Sequence, residues 1–296
     1  MKKVIVGVSG GPDSMYLLYK LYKKKSVTPV VAHINYNFRE ESVNETKLVR
    51  KFCDKNNIEL YVLDVDQKIL NKYNHLSNKQ QMAREIRYDF FIELANKVKA
   101  ETIYIAHHKD DFIETAIMQE KRSSELPFYG IETNGKFKGL IIKRPLLKEY
   151  KDDILVKLEN KRIPFLVDQS NFSNKYERNR IRINLSKKTT KEKKKIYKHF
   201  QMINKSNESS RNEIQKKWIE FETSDFDRSF LLKQNEYIQF QLMIKLLIKD
   251  TEYIKINKNK VNGCLEFIKT KKGKEYRLMD NIFLIVKDSR IKIYNK

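Results

Sequence analysis

The chain has 296 residues, of which 40% are hydrophobic and 33% are charged, a balance typical of a soluble globular protein. The length favours about two domains, and the sequence lacks the run of about 18 apolar residues that would predict a membrane-spanning helix. The net charge of +23 favours a polyanionic partner, with nucleic acid as the natural candidate. Lysine contributes 47 of the 61 basic residues and arginine 14, so a bias towards AT-rich codons is an alternative explanation of the charge.

The two cysteines, Cys53 and Cys264, lie far apart in the sequence. This usage excludes a disulfide framework and a metal site built on paired cysteines, and it fits the reducing cytoplasm. Residues 1–11 are basic and then apolar, like a signal peptide, but the apolar stretch is too short and leads directly into a glycine turn. We therefore predict a buried first strand there.

Short apolar runs alternate with helical patterns through the first half of the chain. Residues 3–8, 28–34, 59–65 and 102–106 are rich in β-branched side chains and predict strands buried on both faces. The segments between them carry apolar residues three and four positions apart, as amphipathic helices do. This alternation predicts an α/β fold with a Rossmann-like parallel sheet.

The segment from 120 to 147 contains several glycines and prolines and predicts a long loop that covers the site. Residues 148–163 predict a helix. The composition shifts towards lysine near residue 187, which predicts a catalytic domain over residues 1–187 and a smaller basic α+β domain over residues 188–296. In this second domain, two patterns predict amphipathic helices over residues 190–222 and 233–250. The last segment, 263–295, predicts a small antiparallel meander.

The stretch "SGGPDS", residues 9–14, follows the first predicted strand and opens a helix. Gly10 and Gly11 let the backbone approach an anion, and the helix N-terminus adds free N–H groups and a positive dipole end. Asp13 repels phosphate unless a cation lies between them, and Mg²⁺ is the usual one. The loop has no lysine after its glycines, so it is not a Walker loop. The alternative is an Asp13 that only caps the helix after a glycine turn.

The stretch "AHHKDDFIET", residues 106–115, follows the fourth predicted strand. Its His107, Asp110, Asp111 and Glu114 crowd one loop and the first helical turn. The carboxylates could hold Mg²⁺ or a cationic nucleophile, and the histidine could contact a phosphate that develops charge. The alternative is an ordinary helix N-terminus enriched in acidic residues.

Two groups of arginines stand out in this lysine-rich chain. Arg84 and Arg87 lie three apart on one predicted helix and could clamp a phosphate or carboxylate, although solvation at the surface is the alternative. Arg178, Arg180 and Arg182 form a cluster, and arginine offers the bidentate geometry that lysine lacks. Since "SGGPDS", "HINYNFR" and "AHHKDD" each follow a strand, we expect them to converge on one crevice at the carboxyl edge of the sheet.

The motifs "SGGPDS", "HINYNFR", "AREIRY", "AHHKDDFIET", "RPLL" and "DQSNFSNKYERNRIR", in this order over residues 3–185, resemble the tRNA(Ile)-lysidine synthase family of PP-loop ATP pyrophosphatases. The resemblance implies an ATP-dependent ligase that adenylates the wobble cytidine of the isoleucine tRNA with a CAU anticodon. Free L-lysine then displaces AMP. It implies ATP and Mg²⁺ as the small-molecule requirements and leaves the oligomeric state open, with a homodimer as one option.

The resemblance also implies roles for individual residues. It implies that ATP is bound by Ser9, Gly10, Gly11, Pro12, Asp13, Ser14, His33 and Ile34, with Asp13 near Mg²⁺. For catalysis it implies Asp13, Arg84, Arg87, His107, Asp111 and Arg178. For lysine and tRNA it implies Asp110, Glu114, Arg144, Arg180 and Arg182.

Three other functions compete with this interpretation. A tRNA thiolase on the same scaffold needs reactive or cluster-binding cysteines, which the spacing of Cys53 and Cys264 does not supply. An amidotransferase for a small metabolite explains the loop but not the basic second domain. An inactive RNA-binding protein gives no reason for "SGGPDS" and "AHHKDD" to occur together.

Overall fold

A computed structural model describes residues 1–37, 42–74, 79–122, 126–137, 139–167, 177–250, 257–270, 273–279 and 281–296. The chain divides into two compact units, residues 1–202 and 203–296. The domain boundary predicted after residue 187 lies upstream of this division. None of the described helices has both the length and the apolar character that crossing a membrane requires.

A six-stranded sheet forms the centre of the first unit, with the order β3-β2-β1-β4-β6-β5. Its strands are β1 (Lys2–Gly7), β2 (Val27–Asn35), β3 (Glu59–Asp64), β4 (Thr102–Tyr104), β5 (Asn134–Phe137) and β6 (Leu140–Lys143). All neighbouring pairs are parallel except β5 and β6, which are antiparallel. The prediction of a parallel sheet and of its first four strands is therefore confirmed.

The predicted loop over residues 120–147 is wrong where β5 and β6 add a hairpin to the sheet edge. Gly139 adopts a φ of +83° in the connection, a conformation that glycine adopts without strain. Along β6, Leu140 and Ile142 are buried and their neighbours are exposed. A strand of four residues carries too short an alternation to be recognised among the surrounding glycines and prolines.

Helices cover both faces of this sheet, as expected for a doubly wound α/β unit. The helices in this part of the chain are α1 (Pro12–Tyr22), α2 (Ser42–Lys55), α3 (Gln67–Lys72), α4 (Lys79–Val98), α5 (Lys109–Arg122), α6 (Lys151–Asn160), α7 (Glu177–Ser186) and α8 (Thr190–Ser206). Of these, α1, α2 and α6 pack on one face of the sheet and α4 packs on the other. Successive side chains of β1 pack into the cores on opposite faces of the sheet. Val6 packs with α1, α2 and α6, and Ile5 packs with α4. The sheet is thereby buried on both sides, and its carboxyl edge is left to the loops.

The second unit consists of helices and a three-stranded antiparallel sheet of order β7-β8-β9. Its elements are α9 (Glu208–Thr223), α10 (Arg228–Leu232), α11 (Glu236–Asp250), α12 (Lys258–Thr270), β7 (Tyr276–Met279), β8 (Ile282–Lys287) and β9 (Arg290–Asn295). The predicted meander is confirmed over these strands but wrong over 263–270, which is helical. The buried Val261, Cys264, Leu265 and Ile268 have the spacing of a helix face.

Candidate active site

The loop between β1 and α1 is closed by its own two serines. The Ser14 hydroxyl donates to the Gly11 carbonyl at 2.9 Å, and the Ser9 N–H donates to the Ser14 hydroxyl at 3.1 Å. Gly10 has a φ of +87°, and Pro12, which has no N–H to leave unpaired, begins the helix. The result is a tight turn that leads into the positive end of α1, where anions bind readily.

Asp13 does not cap α1, because Gly11 occupies the N-cap and no side chain makes a capping hydrogen bond there. The capping alternative is therefore wrong. Instead, the Lys151 ammonium donates to both carboxylate oxygens of Asp13, at 2.7 and 2.6 Å. Lys151 is the first residue of α6, 138 positions further along the chain. No motif of the sequence points to Lys151.

His108 connects Asp13 to the acidic segment after β4. Its Nε2 lies 3.7 Å from Asp13 Oδ2 and 3.3 Å from Asp111 Oδ2, and its Nδ1 lies 3.6 Å from Asp110 Oδ2. Burial alone would lower the pKa of His108, but the three carboxylates together raise it. The predicted convergence of "SGGPDS" and "AHHKDD" is confirmed, and it places His108 at the centre of the carboxylates.

Asp110 joins three helices. It accepts a hydrogen bond from the Lys151 backbone N–H at 2.8 Å, and its other oxygen lies 3.0 Å from the ammonium of Lys193 in α8. Burial would raise the pKa of Asp110, but these bonds and His108 hold it well below its usual range. Both carboxylate oxygens therefore face groups of this chain, and the residue positions the starts of α6 and α8 beside α5.

Asp111 and Glu114 face two arginines of α7. Arg182 Nε and Nη2 donate to the two oxygens of Glu114 at 2.8 and 3.1 Å, and Arg178 Nε donates to Glu114 at 3.1 Å. Arg178 Nη2 also donates to Asp111 at 3.3 Å. Burial would raise the pKa of Asp111, but His108 and the nearby cations keep it low. Glu114 is only 2% exposed, so it aligns the arginines.

Arg180 is exposed. It lies two positions from both Arg178 and Arg182, which are four apart and share one face of α7. The structure thus brings two of the three predicted arginines to the acidic cluster. The motif residues 168–171, "DQSN", lie outside the described residues.

His107 lies between the acidic cluster and Arg144. Burial lowers its pKa to about 4, against the opposing effect of Asp111, so the ring is neutral at pH 7. Its Nδ1 is buried without a hydrogen-bond partner in the described part of the chain, and the same holds for Arg144 Nε. Unpaired buried polar atoms are costly, and two of them in a candidate site are well placed for a ligand.

The guanidinium carbon of Arg84 lies 4.9 Å from the centre of the Tyr88 ring. Both residues interact electrostatically with Arg144. Arg144 Nη1 donates to the Glu132 carbonyl at 2.9 Å. Arg84 and Arg87 are exposed on α4. Arg84 and Arg144 therefore place positive charge on this side of the site, and Arg84 is the member of the predicted pair that interacts with Arg144.

His33 is buried with both ring nitrogens in use. Nδ1 lies 2.8 Å from the Val8 carbonyl, and Nε2 lies 2.9 Å from the Thr46 hydroxyl. Burial lowers its pKa. The side chain thus ties the end of β2 to Val8, the residue before Ser9, and both of its ring nitrogens face groups of this chain. Ile34, the next residue, is half-buried against the core.

Among the described side chains of this site, Asp13 is the one that suits Mg²⁺. Asp13 presents a partly exposed carboxylate beside the loop, and Mg²⁺ in nucleotide sites usually takes one or two carboxylates together with phosphate oxygens and waters. Among the residues that the structure describes, no three His, Cys, Asp or Glu side chains are arranged to coordinate a metal. Asp13 therefore fits a metal that arrives with phosphates, and not one held by the protein alone.

Comparison with known proteins identifies the family. A model described as a PP-loop domain matches residues 1–189. A tRNA(Ile)-lysidine synthase from Ureaplasma parvum is 38% identical over 98% of this chain and 86% of its own length. Another, from Malacoplasma penetrans, is 37% identical over 98% of this chain and 97% of its own length. The chain belongs to the tRNA(Ile)-lysidine synthase family.

Among solved structures, the U34-tRNA thiolase NcsA from Methanococcus maripaludis, solved with its 4Fe-4S cluster, has a TM-score of 0.52 and 18% identity, over 69% of this chain and 72% of that chain. This likeness is one of fold. In this lysidine synthase family member, Cys53 and Cys264 are both buried, and burial raises the pKa of each thiol to about 12. Thiols that stay protonated are poor nucleophiles and metal ligands, so the thiolase alternative gains no support.

Proposed function

We propose that this chain is a ligase that joins free L-lysine to C2 of the wobble cytidine in the isoleucine tRNA with a CAU anticodon, with conversion of ATP to AMP and diphosphate. One observation carries the proposal: His108 Nε2 lies 3.7 Å from Asp13 in the nucleotide loop and 3.3 Å from Asp111 in the acidic cluster, so the two motifs meet at this ring. An adenylated base formed at the loop would thus lie beside the groups suited to a cationic amine. Family membership supports the choice of base and amine.

The first half-reaction belongs to the loop over residues 9–14. The α1 N-terminus and the loop N–H groups suit a triphosphate, and the cytosine O2 attacks the α-phosphorus as diphosphate leaves. Mg²⁺ bound at Asp13 would neutralise phosphate charge. His107 is neutral, so it can donate a hydrogen bond to a developing oxyanion, but it brings no positive charge.

The second half-reaction belongs to the acidic cluster. We assign Asp111 to orienting the lysine ε-amine and accepting its proton, and Arg178 and Arg182 to the departing AMP phosphate. Glu114 keeps both arginines in position, and Asp110 does the same for the helices around it. The amine attacks C2, and the bond from C2 to the adenylated O2 breaks.

The remaining arginines suit the tRNA. Arg84, Arg87 and Arg180 are exposed and Arg144 is partly buried, and phosphate contacts of this kind position a nucleic acid without reading its sequence. A homodimer remains part of the proposal, and sedimentation equilibrium of the chain with and without tRNA tests it.

The decisive experiment follows the nucleoside product. The chain is incubated with ATP, radiolabelled lysine and the CAU-anticodon isoleucine tRNA, and the tRNA is digested and analysed. We expect lysidine, with one AMP and one diphosphate formed for each lysine incorporated. Methionine tRNA, which has the same anticodon, serves as the control acceptor. A product that forms without lysine, or the absence of diphosphate, would contradict the proposal.

Replacing Asp111 by Asn separates the two half-reactions. The variant keeps the size of the side chain but removes the charge that orients the amine, so we expect adenylation to persist and lysine transfer to fall about 100-fold or more. Adenylation is measured as diphosphate release in a single turnover, and transfer as incorporated lysine. Wild-type transfer by this variant would exclude the role of Asp111.

A further inference from the structure

The loop over residues 9–14 needs a cation that its own sequence does not carry. In a Walker loop a lysine directly after the glycines reaches the β- and γ-phosphates, whereas here Pro12 and Asp13 follow Gly11. Asp13 adds a negative charge at the place where phosphates would bind. Mg²⁺ held at Asp13 would offset part of this charge, and any further positive charge from a side chain must come from another part of the chain.

Lys151 brings that charge. Its ammonium lies 2.7 and 2.6 Å from the two carboxylate oxygens of Asp13, and Asp13 is the second residue of α1. The backbone of Lys151 is fixed as well, because its N–H donates to Asp110 at 2.8 Å. Both ends of the residue are thus held at the mouth of the loop.

The local helix does not explain a lysine at this position. Lys151 begins α6, and a cation at a helix N-terminus is opposed by the helix dipole. Its side chain is 30% exposed, whereas Lys193, which pairs with two carboxylates in the same unit, is only 6% exposed. Lys151 therefore remains accessible to a ligand at the loop, and Lys193 is enclosed.

We propose that Lys151 is a catalytic residue that binds the β- and γ-phosphates of ATP and stabilises the departing diphosphate. This inference rests on the proposed function. When the cytosine O2 attacks the α-phosphorus, the bond from that phosphorus to the bridging oxygen breaks, and its electron pair moves onto the diphosphate. The ammonium of Lys151 offsets this growing negative charge and transfers no proton. Asp13 holds the ammonium in place before the nucleotide binds.

The test compares ligands with and without the β- and γ-phosphates. Calorimetry measures the affinities of α,β-methylene ATP and of AMP for the full chain and for Lys151→Met, Lys151→Gln and Lys151→Arg. Lys157→Met is the matched control, since Lys157 also lies on α6 but pairs with Glu149 at 2.7 Å. We expect Lys151→Met and Lys151→Gln to weaken the triphosphate about 10- to 100-fold and AMP less than about twofold. Lys151→Arg restores most of the affinity.

The diphosphate-release rate gives the second readout, and we expect it to fall at least as far as the triphosphate affinity. Equal losses for AMP and the triphosphate, or no loss for either in a folded Lys151→Gln, would overturn the inference and leave Lys151 with a structural role. A wild-type chain that binds no triphosphate would instead contradict the proposed function itself. Lys157→Met must behave like wild type, so a similar loss there would also overturn the inference.

Discussion

His107 and His108 are neighbours in the chain, and their pKa values shift in opposite directions. His108 faces the carboxylates of Asp13, Asp110 and Asp111, which overcome the effect of burial and raise its pKa. For His107 burial outweighs Asp111, and its pKa falls to about 4. A shift of a single position in the loop after β4 therefore decides whether the pKa of a ring is raised or lowered.

The neutral state of His107 has a consequence for stability. Its pKa is about 4 in the folded chain and 6.5 in a model peptide, so between these values the unfolded chain binds more protons. Stability therefore falls as the pH is lowered from 6.5 to 4, by about 3 kcal/mol from this group alone. We expect His107→Asn to lose less stability over this pH range than the wild type does. The difference is measured by urea unfolding at each pH, with hydrogen exchange of peptides from residues 1–202 as the readout.

The control for this prediction is His199→Asn, because His199 is an exposed histidine of the same unit. His33 and His108 titrate in all of these proteins, so the comparison isolates the replaced group. Equal pH slopes for wild type and His107→Asn would exclude a buried, neutral His107.

Lys151 shows why part of the site could not be predicted from the sequence. Asp13, His107 and Asp111 stand in short motifs whose residue types already point to phosphate and amine chemistry. Lys151 is one of 47 lysines, and its partner Asp13 is 138 positions away. Only the packing of α6 beside α1 brings the two together. The one local signal was a lysine in the first turn of the helix predicted over residues 148–163, where acidic residues are favoured.

At the scale of elements, predictions succeeded where burial imposed a long pattern. The first strands are buried on both faces and read as continuous apolar runs, so β1 and β2 were recognised. The short strands β5 and β6 were not recognised, because four residues show too few repeats of the strand period. Helix α12 was missed because it lies directly before the strands of the meander, so part of it was assigned to them. Helix α8 was expected, but its attachment to the site was not, since that depends on one buried lysine.

Lys193 attaches α8 to α5 and α6. Its ammonium lies 3.0 Å from Asp110 and 3.2 Å from Asp152, and these carboxylates raise its pKa although burial would lower it. Lys193→Met leaves the buried Asp110 without this cation, and we expect the first unit to lose about 3 kcal/mol of stability. The loss is measured by urea unfolding, with hydrogen exchange of peptides from residues 1–202 as the readout.

Lys194→Met serves as the control for this prediction, because Lys194 is the exposed neighbour on the same helix. The double variant Lys193→Met with Asp110→Asn should recover part of the loss, since the buried carboxylate that faced Lys193 is then neutral. If Lys193→Met were no less stable than Lys194→Met, the ion pair would contribute nothing to holding α8.

For the whole molecule, the hydrophobic cores follow the division into two units. The two clusters on the faces of the six-stranded sheet draw all their residues from the first unit, and the cluster around Trp218 and Leu246 draws all of its residues from the second. Each unit thus has a core of its own, which is the usual basis for separate folding units. Trp218 is the only tryptophan of the chain, so its fluorescence reports on the second unit.

Leu246→Ala should therefore unfold one unit selectively. Leu246 is fully buried in α11, and removing its side chain leaves a cavity that costs about 3 kcal/mol. We expect the Trp218 fluorescence transition to move to lower urea and hydrogen exchange to rise in peptides from residues 203–296, with protection of residues 1–202 unchanged. Ile248→Ala, which removes an exposed side chain from the same helix, should leave both units as they are. A parallel rise in exchange across both units would instead show that the two cores unfold as one.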